Sequence, residues 1–193
     1  VLNAGSATFG ALEDLESFAP IREAMATNFF GAAYPAYLAL EHLIASRGAI
    51  AFVTSGAGRL PMPGYLGYST SKHAMNGFFE TLRLELSPHG VDVLAIDPGE
   101  MYSDDGAGRT VLGPDGTEHK VDLSVRRSND VSRVPASTVA SKCLEAIVKR
   151  RREVSFSSTQ QRMATKLRPL APAVVDRKIY ERTAKMRSAF TSS

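Results

Sequence analysis

The sequence predicts an α/β fold built on a parallel sheet. Two observations carry this. Short apolar runs rich in β-branched residues lie within residues 48–55 (GAIAFVTS) and 91–99 (VDVLAIDPG), each closing on small or turn residues. Near-continuous apolar runs of this kind suit strands buried on both faces. Segments of helical period flank them, and strand alternating with helix is the pattern of a parallel sheet.

The opening VLNAG reads as the tail of a further strand that ends in a glycine turn. Residues 20–46 then place Ile21, Met25, Phe29, Ala32, Ala36 and Leu40 close to helical period, so one helix is expected up to Gly48. The first full strand follows. A second helix is expected over residues 67–87, with Met75, Phe78, Phe79, Leu82 and Leu86 inward and Pro88 and Gly90 as its stop. After the second strand, residues 100–135 are polar and rich in turn formers, and a long loop is expected. Residues 137–151 form a third expected helix. Beyond Pro169 and Pro172, Val175, Ile179, Met186 and Phe190 alternate with basic residues, the pattern of a basic amphipathic helix.

Composition narrows the class. Of 193 residues, 44% are apolar and 22% charged, as in a globular protein with a real core. One cysteine, Cys143, rules out an internal disulfide framework, and no apolar run is long enough to span a membrane. The start has no basic leader and reads as mid-domain sequence. Charge is uneven: residues 149–187 hold twelve Lys and Arg against three acids. A solvated basic surface is expected there, on a helix folded over the cleft with its apolar stripe inward, with contact to an anionic membrane as the second reading.

The chemistry gathers around YLGYSTSK. Tyr68 and Lys72 stand four apart, so they share one face of a helix. An isolated phenol titrates near pH ~10 and is a poor base at neutral pH. A neighbouring ammonium favours the phenolate and brings the group toward working pH. Ligands of open parallel sheets bind beyond the carboxyl ends of the strands. Here those ends present Asn3-Ala4-Gly5, Thr54-Ser55 and Pro98-Gly99, so Ser55, Tyr68 and Lys72 are expected at one edge.

The order NAG at residue 3, Asn28 in MATNFFGA, Ser55 thirteen residues before Tyr68, Lys72, and DPGEMYS after the second strand resembles the short-chain dehydrogenase/reductase superfamily, single-domain type. The resemblance covers about residues 1–156 and implies the carboxyl-terminal portion of a Rossmann-like, doubly wound parallel sheet, with residues 157–193 as a basic helical extension. It implies an oxidoreductase moving hydride between NAD or NADP and a carbonyl or secondary alcohol, with NADP favoured on family grounds. Tyr68 would be the general acid/base. Lys72 would assist it and hold the cofactor ribose, and Ser55 would orient the substrate oxygen. Asn28 would place a water that links Lys72 to solvent. Asn3, Ala4 and Gly5 would floor the cofactor cleft, Pro98 and Gly99 would turn the chain past the nicotinamide, and Ser103 would bond the carboxamide. A homodimer or homotetramer is implied, in the cytoplasm, with peripheral membrane contact through the basic helix as an added possibility.

Two departures stand out. Glu100 places a carboxylate where an apolar or small residue is commoner, and the SDDGAGR after the turn reads as unusually polar and flexible. The family's phosphate-binding glycine motif lies upstream of NAG, so the sequence is expected to belong to a longer chain. Gly56-Ala57-Gly58 does not supply that motif, because no helix opens directly after it. Two other functions compete: a non-catalytic binding protein on the same fold, and an extended-type epimerase or dehydratase. His42, His73, His89 and His119 are scattered, the acids around residues 104–118 lack calcium-loop spacing, and neither metal nor nucleic acid is expected. Lys149 to Arg152 close a helix, where positive charge complements its dipole.

Overall fold

The structure is a computed structural model that describes residues 1–102, 109–121 and 134–190. Its centre is a parallel sheet in the order β1 (Ala49–Val53), β2 (Asp92–Asp97), β7 (Glu153–Ser155). Ala49 pairs with Asp92 and Ile96 with Val154, so the strands run in register. Leu2 adds to the other edge of β1: its amide donates to Ala51 O at 2.7 Å and its carbonyl accepts from Val53 N at 2.9 Å. This is the expected strand tail before NAG. β7 has no counterpart among the expected strands.

Period-2 side chains divide the sheet between two cores. Ile50 and Phe52 of β1 and Val93 and Ala95 of β2 face α2 (Gly31–Leu38) and α4 (Leu66–Leu86), which supply Ala32, Ala36, Met75 and Phe79. Ala51, Leu94 and Ile96 face α5 (Ala136–Val148) through Ala146, Cys143 and Ile147. Helices on both faces make the sheet doubly wound. Burial among these apolar neighbours raises the Cys143 thiol pKa.

The segment expected as one helix over residues 20–46 is broken. It runs as α1 (Ala19–Ala24), a π-helical turn over Met25–Phe30, then α2 and α3 (Leu40–Ser46). The π turn inserts a residue relative to 3.6 periodicity and turns Asn28 fully inward. Pro35 sits inside α2 without an amide to donate. Helix α4 matches the expected span to within a residue.

The segment expected as a long loop contains strands. Strands β4 (Arg109–Leu112) and β5 (Glu118–Val121) form an antiparallel hairpin, and β3 (Met101–Tyr102) pairs with β6 (Val134–Pro135). The hairpin docks on the segment after NAG through Phe9 N to Leu112 O at 2.8 Å and Leu112 N to Ala7 O at 2.9 Å. Backbone pairing overrode a turn-rich composition here.

After β7, α6 (Thr159–Leu167) is opened by Ser158, whose hydroxyl accepts from Gln161 N in a capping box. Helix α7 (Pro172–Phe190) packs on α6, with Arg168 gripping Asp176 at 2.7 Å and Val175 and Thr183 buried. Among the described residues no helix is long and apolar enough to cross a membrane.

Phe52 and Phe79 stack at 4.6 Å with no exposed surface, joining β1 to the helix that carries Tyr68 and Lys72. Phe79→Ala is expected to cost about 3–5 kcal/mol of unfolding free energy in urea titrations. A loss below about 1 kcal/mol would mean that this contact does not anchor α4.

Candidate active site

Beyond the carboxyl end of β1 the chain turns through Ser55 into a short 3-10 turn, Gly56–Gly58, and reaches α4 at Leu66. Ser55 Oγ accepts from Ala57 N at 3.2 Å, which fixes the side chain and leaves its proton to donate. The turn is stitched to α4. Ser69 Oγ donates to Ala57 O at 2.7 Å, and Asn76 Nδ2 donates to Gly58 O at 2.8 Å. Gly58 has no room for a side chain, because a Cβ would lie 2.8 Å from Lys72 O. The backbone after β1 therefore rests directly on the turn of α4 that bears Lys72.

Lys72 is 3% exposed. Its Nζ donates to Val53 O at 2.8 Å and touches Met75 Sδ at 3.5 Å. The ammonium lies 5.8 Å from the centroid of the half-buried Tyr68 ring, within cation–π range. Burial lowers the lysine pKa from its ordinary 10.5 to about 8.

Asn28 is fully engaged, but not with Lys72. Its Oδ1 accepts from Ser6 N at 2.7 Å. Its Nδ2 donates to Ser6 O at 3.0 Å and to Ser71 Oγ at 2.8 Å, and Ser71 Oγ in turn donates to Tyr68 O at 2.8 Å. One buried amide thus joins the turn after NAG to the backbone of Tyr68. Both of its N–H groups are spent on protein, so the side chain acts as a link between the Ser6 backbone and Ser71.

The expected cofactor residues separate into two groups. Asn3, Ala4 and Gly5 lie exposed at the edge of β1. A Cβ on Gly5 would stand 3.6 Å from Lys72 Nζ and 3.2 Å from Asn28 Oδ1, so Gly5 leaves open a cradle beside the ammonium. Pro98 and Gly99 are half-buried beyond β2. Gly99 has φ +61°, and a Cβ there would meet Phe156 O at 2.5 Å, so the turn demands glycine. Ser103 lies outside the described residues.

Several contributors escaped the sequence reading. Ser69, Ser71 and Asn76 are buried polar groups at helical spacing around Lys72, on a helix whose neighbouring positions are apolar. Small polar residues recurring beside an apolar stripe were the available signal. Asp97 is buried at the end of β2. It accepts from Ser157 Oγ at 2.6 Å, Ser155 Oγ at 3.1 Å and Gly99 N at 3.2 Å, holding the Pro98-Gly99 turn against the segment after β7.

The lysine has a consequence for stability. Between pH 8 and 10.5 the unfolded chain holds a proton on Lys72 that the folded chain has released. Folded stability therefore rises with pH across that window, by roughly 3 kcal/mol in total. Below pH 8 both states are protonated and the cost of the buried charge is constant. Lys72→Met is expected to unfold at higher denaturant than wild type at pH 7, with the gap closing toward pH 10.5. Parallel pH profiles for the two proteins would contradict a buried charge at this position.

Sequence and structure comparisons place this geometry among known proteins. A family profile described as short chain dehydrogenase matches residues 1–109. Dehydrogenase/reductase SDR family member 7B of Xenopus tropicalis is 31% identical over 173 residues, which is 89% of this chain and 54% of that protein. 11-beta-hydroxysteroid dehydrogenase-like 3 of Arabidopsis thaliana is 38% identical over 102 residues, 53% of this chain and 33% of that protein. The chain spans about half the length of the first of these relatives and a third of the second. The solved structure of a short-chain dehydrogenase from Streptomyces avermitilis shares the fold at TM-score 0.68 and 20% identity, covering 95% of this chain and 68% of that one. A short-chain dehydrogenase from Burkholderia cenocepacia, solved in complex with NADP, does so at TM-score 0.62 and 21% identity, covering 93% and 65%. With more than half its length matched by the family profile, the chain belongs to the short-chain dehydrogenase family.

Proposed function

We propose that this chain carries the proton-transfer and substrate-orienting part of an oxidoreductase that moves hydride between NAD or NADP and a carbonyl or secondary alcohol. The observation that carries this reading is the buried Lys72, held on Val53 O with its ammonium 5.8 Å from the Tyr68 ring. A buried cation is costly, and a purely structural helix gains nothing from it.

The residues present fit a nicotinamide dinucleotide. The open cradle at Gly5 gives access to Lys72, and the buried hydroxyls Ser6 Oγ and Thr54 Oγ1 have no protein partner among the described residues. Lys72 and the Asn3-Ala4-Gly5 floor would hold the cofactor, which supplies or accepts the hydride when bound. An ammonium has three donors, so Lys72 keeps capacity for ribose hydroxyls beyond Val53 O.

The chain's own groups then divide the work. Ser55 donates its hydroxyl proton to the substrate oxygen while Ala57 N fixes its Oγ. Tyr68 gives a proton to that oxygen during reduction and takes one during oxidation. Lys72 remains mostly protonated at pH 7, and its charge favours the phenolate left on Tyr68. Asn28 is a positioning residue that ties the turn after NAG to the Tyr68 backbone through Ser71. Pro98 and Gly99 bound the far side of the cleft. Relatives named 11-beta-hydroxysteroid dehydrogenase support a secondary alcohol on an apolar skeleton as the substrate class.

Tyr68→Phe, in the protein that carries this chain, is expected to lower kcat by about 10²–10⁴-fold on any accepted carbonyl, the range of general acid/base catalysis. Nicotinamide cofactor affinity, read by fluorescence titration, should stay within about two-fold, because the phenyl ring keeps the packing. A near-wild-type rate for Tyr68→Phe would overturn the mechanism and favour a non-catalytic binding role.

A further inference from the structure

The sheet has a cleft at its other edge as well. At the amino ends of its strands, opposite Ser55 and Gly99, a cleft of about 460 Å³ is lined by Arg83, Arg150, Arg151 and Arg152, with Ser87 at its rim and Asp92 as its acid. We propose that this cleft is a seat for a phosphate-bearing anion, built independently of the oxidoreductase site.

Arginines come to this cleft from separate elements. Arg83 reaches it from α4. Its Nε donates to Val93 O at 2.7 Å and its Nη2 to Arg152 O at 3.4 Å, so the guanidinium is clamped in place before any ligand arrives. Arg150, Arg151 and Arg152 form the turn between α5 and β7. Arg150 Nη1 pairs with Asp92 at 2.7 Å, and its Nη2 donates to Arg47 O at 2.9 Å. Among the described residues outside glycine, only Arg47 and Arg150 have positive φ, each at 48°. The bond between them keeps the Arg150 side chain in the cleft from a backbone conformation that glycine or asparagine would adopt more easily.

The charges are not neutralised from within. Asp92 is spent on Arg150, and the nearby Glu153 is held by Arg59 at 2.6 Å. Glu80, one turn before Arg83, lends a distant attractive field. Among the described residues Arg83, Arg151 and Arg152 make no ion pair; burial lowers the Arg83 pKa and repulsion by Arg152 adds to it, against the pull of Glu80 and Glu153. The dipole at the end of α5 accounts for positive charge just past that helix, but not for Arg83 fixed against it from α4. Planar guanidinium groups crowded into one cleft, one of them prepositioned, match the geometry of a phosphate group, which accepts paired hydrogen bonds from such forks. The group could be carried by a soluble phosphorylated molecule or by an anionic lipid headgroup.

The test uses the whole protein and two probes at fixed ionic strength. Calorimetry with sodium pyrophosphate is expected to show saturable binding that Arg151→Gln/Arg152→Gln weakens by about ten-fold or more. Ser87→Asp, which adds a carboxylate at the rim and leaves the arginines in place, should weaken it in the same sense. Flotation with vesicles of phosphatidylcholine, with and without phosphatidic acid, then separates the sources. Recovery with the acidic vesicles that is lost in both variants identifies a lipid headgroup. Pyrophosphate binding without such recovery identifies a soluble phosphate. Absence of pyrophosphate binding, or binding that both folded variants retain, would overturn the proposal and move any anion affinity to the basic face of α7.

Discussion

The site depends on one buried charge. The Lys72 ammonium sits almost out of water against the last carbonyl of β1, and the surrounding structure makes this tolerable. Gly58 lets the backbone after β1 lie directly on the Lys72 turn. Ser69 and Asn76 close the polar groups on both sides of that contact. Phe52 and Phe79 supply the apolar grip that holds helix to strand. Burial brings the lysine pKa down to about 8, so the group still carries its charge at neutral pH, with Val53 O as its hydrogen-bond acceptor and open space beside it at Gly5.

Asn28 extends this constraint to the rest of the site. A π turn in the preceding helix rotates it inward, where it bridges the strand tail at Ser6 and the helix at Ser71. Its hydrogen bonds make it a brace between the turn after NAG and the Tyr68 backbone. Asp97 braces the opposite wall through Ser155 and Ser157. Each wall of the cleft thus ends in a buried polar group with satisfied partners, which is how a preorganised site avoids the cost of orphaned ones.

The parts legible in the sequence were those that follow from local pattern. β1 and β2 are contiguous apolar runs, and α4 carries an uninterrupted stripe that ends at proline and glycine, so their bounds matched closely. The nearness of Ser55, Tyr68 and Lys72 was expected from their places at a strand end and on the helix after it, and their roles came from the family resemblance. What escaped depends on tertiary contact. The π turn preserves apolar residues near helical period and leaves no mark in composition. Strand β7 is three residues long and exists by pairing with β2. The β4–β5 hairpin lies in a polar segment and is held by backbone bonds to residues 7–9, far away in sequence. The arginine cleft was half visible, as a run after α5. Its other half, Arg83, is a single charged position on α4 that no local pattern marks out.

Lys72 is buried as a cation poised to change state near working pH. NMR titration of the Lys72 side chain, followed at its ε carbon in selectively labelled protein, tests this directly. The structure predicts a midpoint at about pH 8. A midpoint at the ordinary lysine value of 10.5 would mean that the ammonium is in water and that the brace around it does not exist.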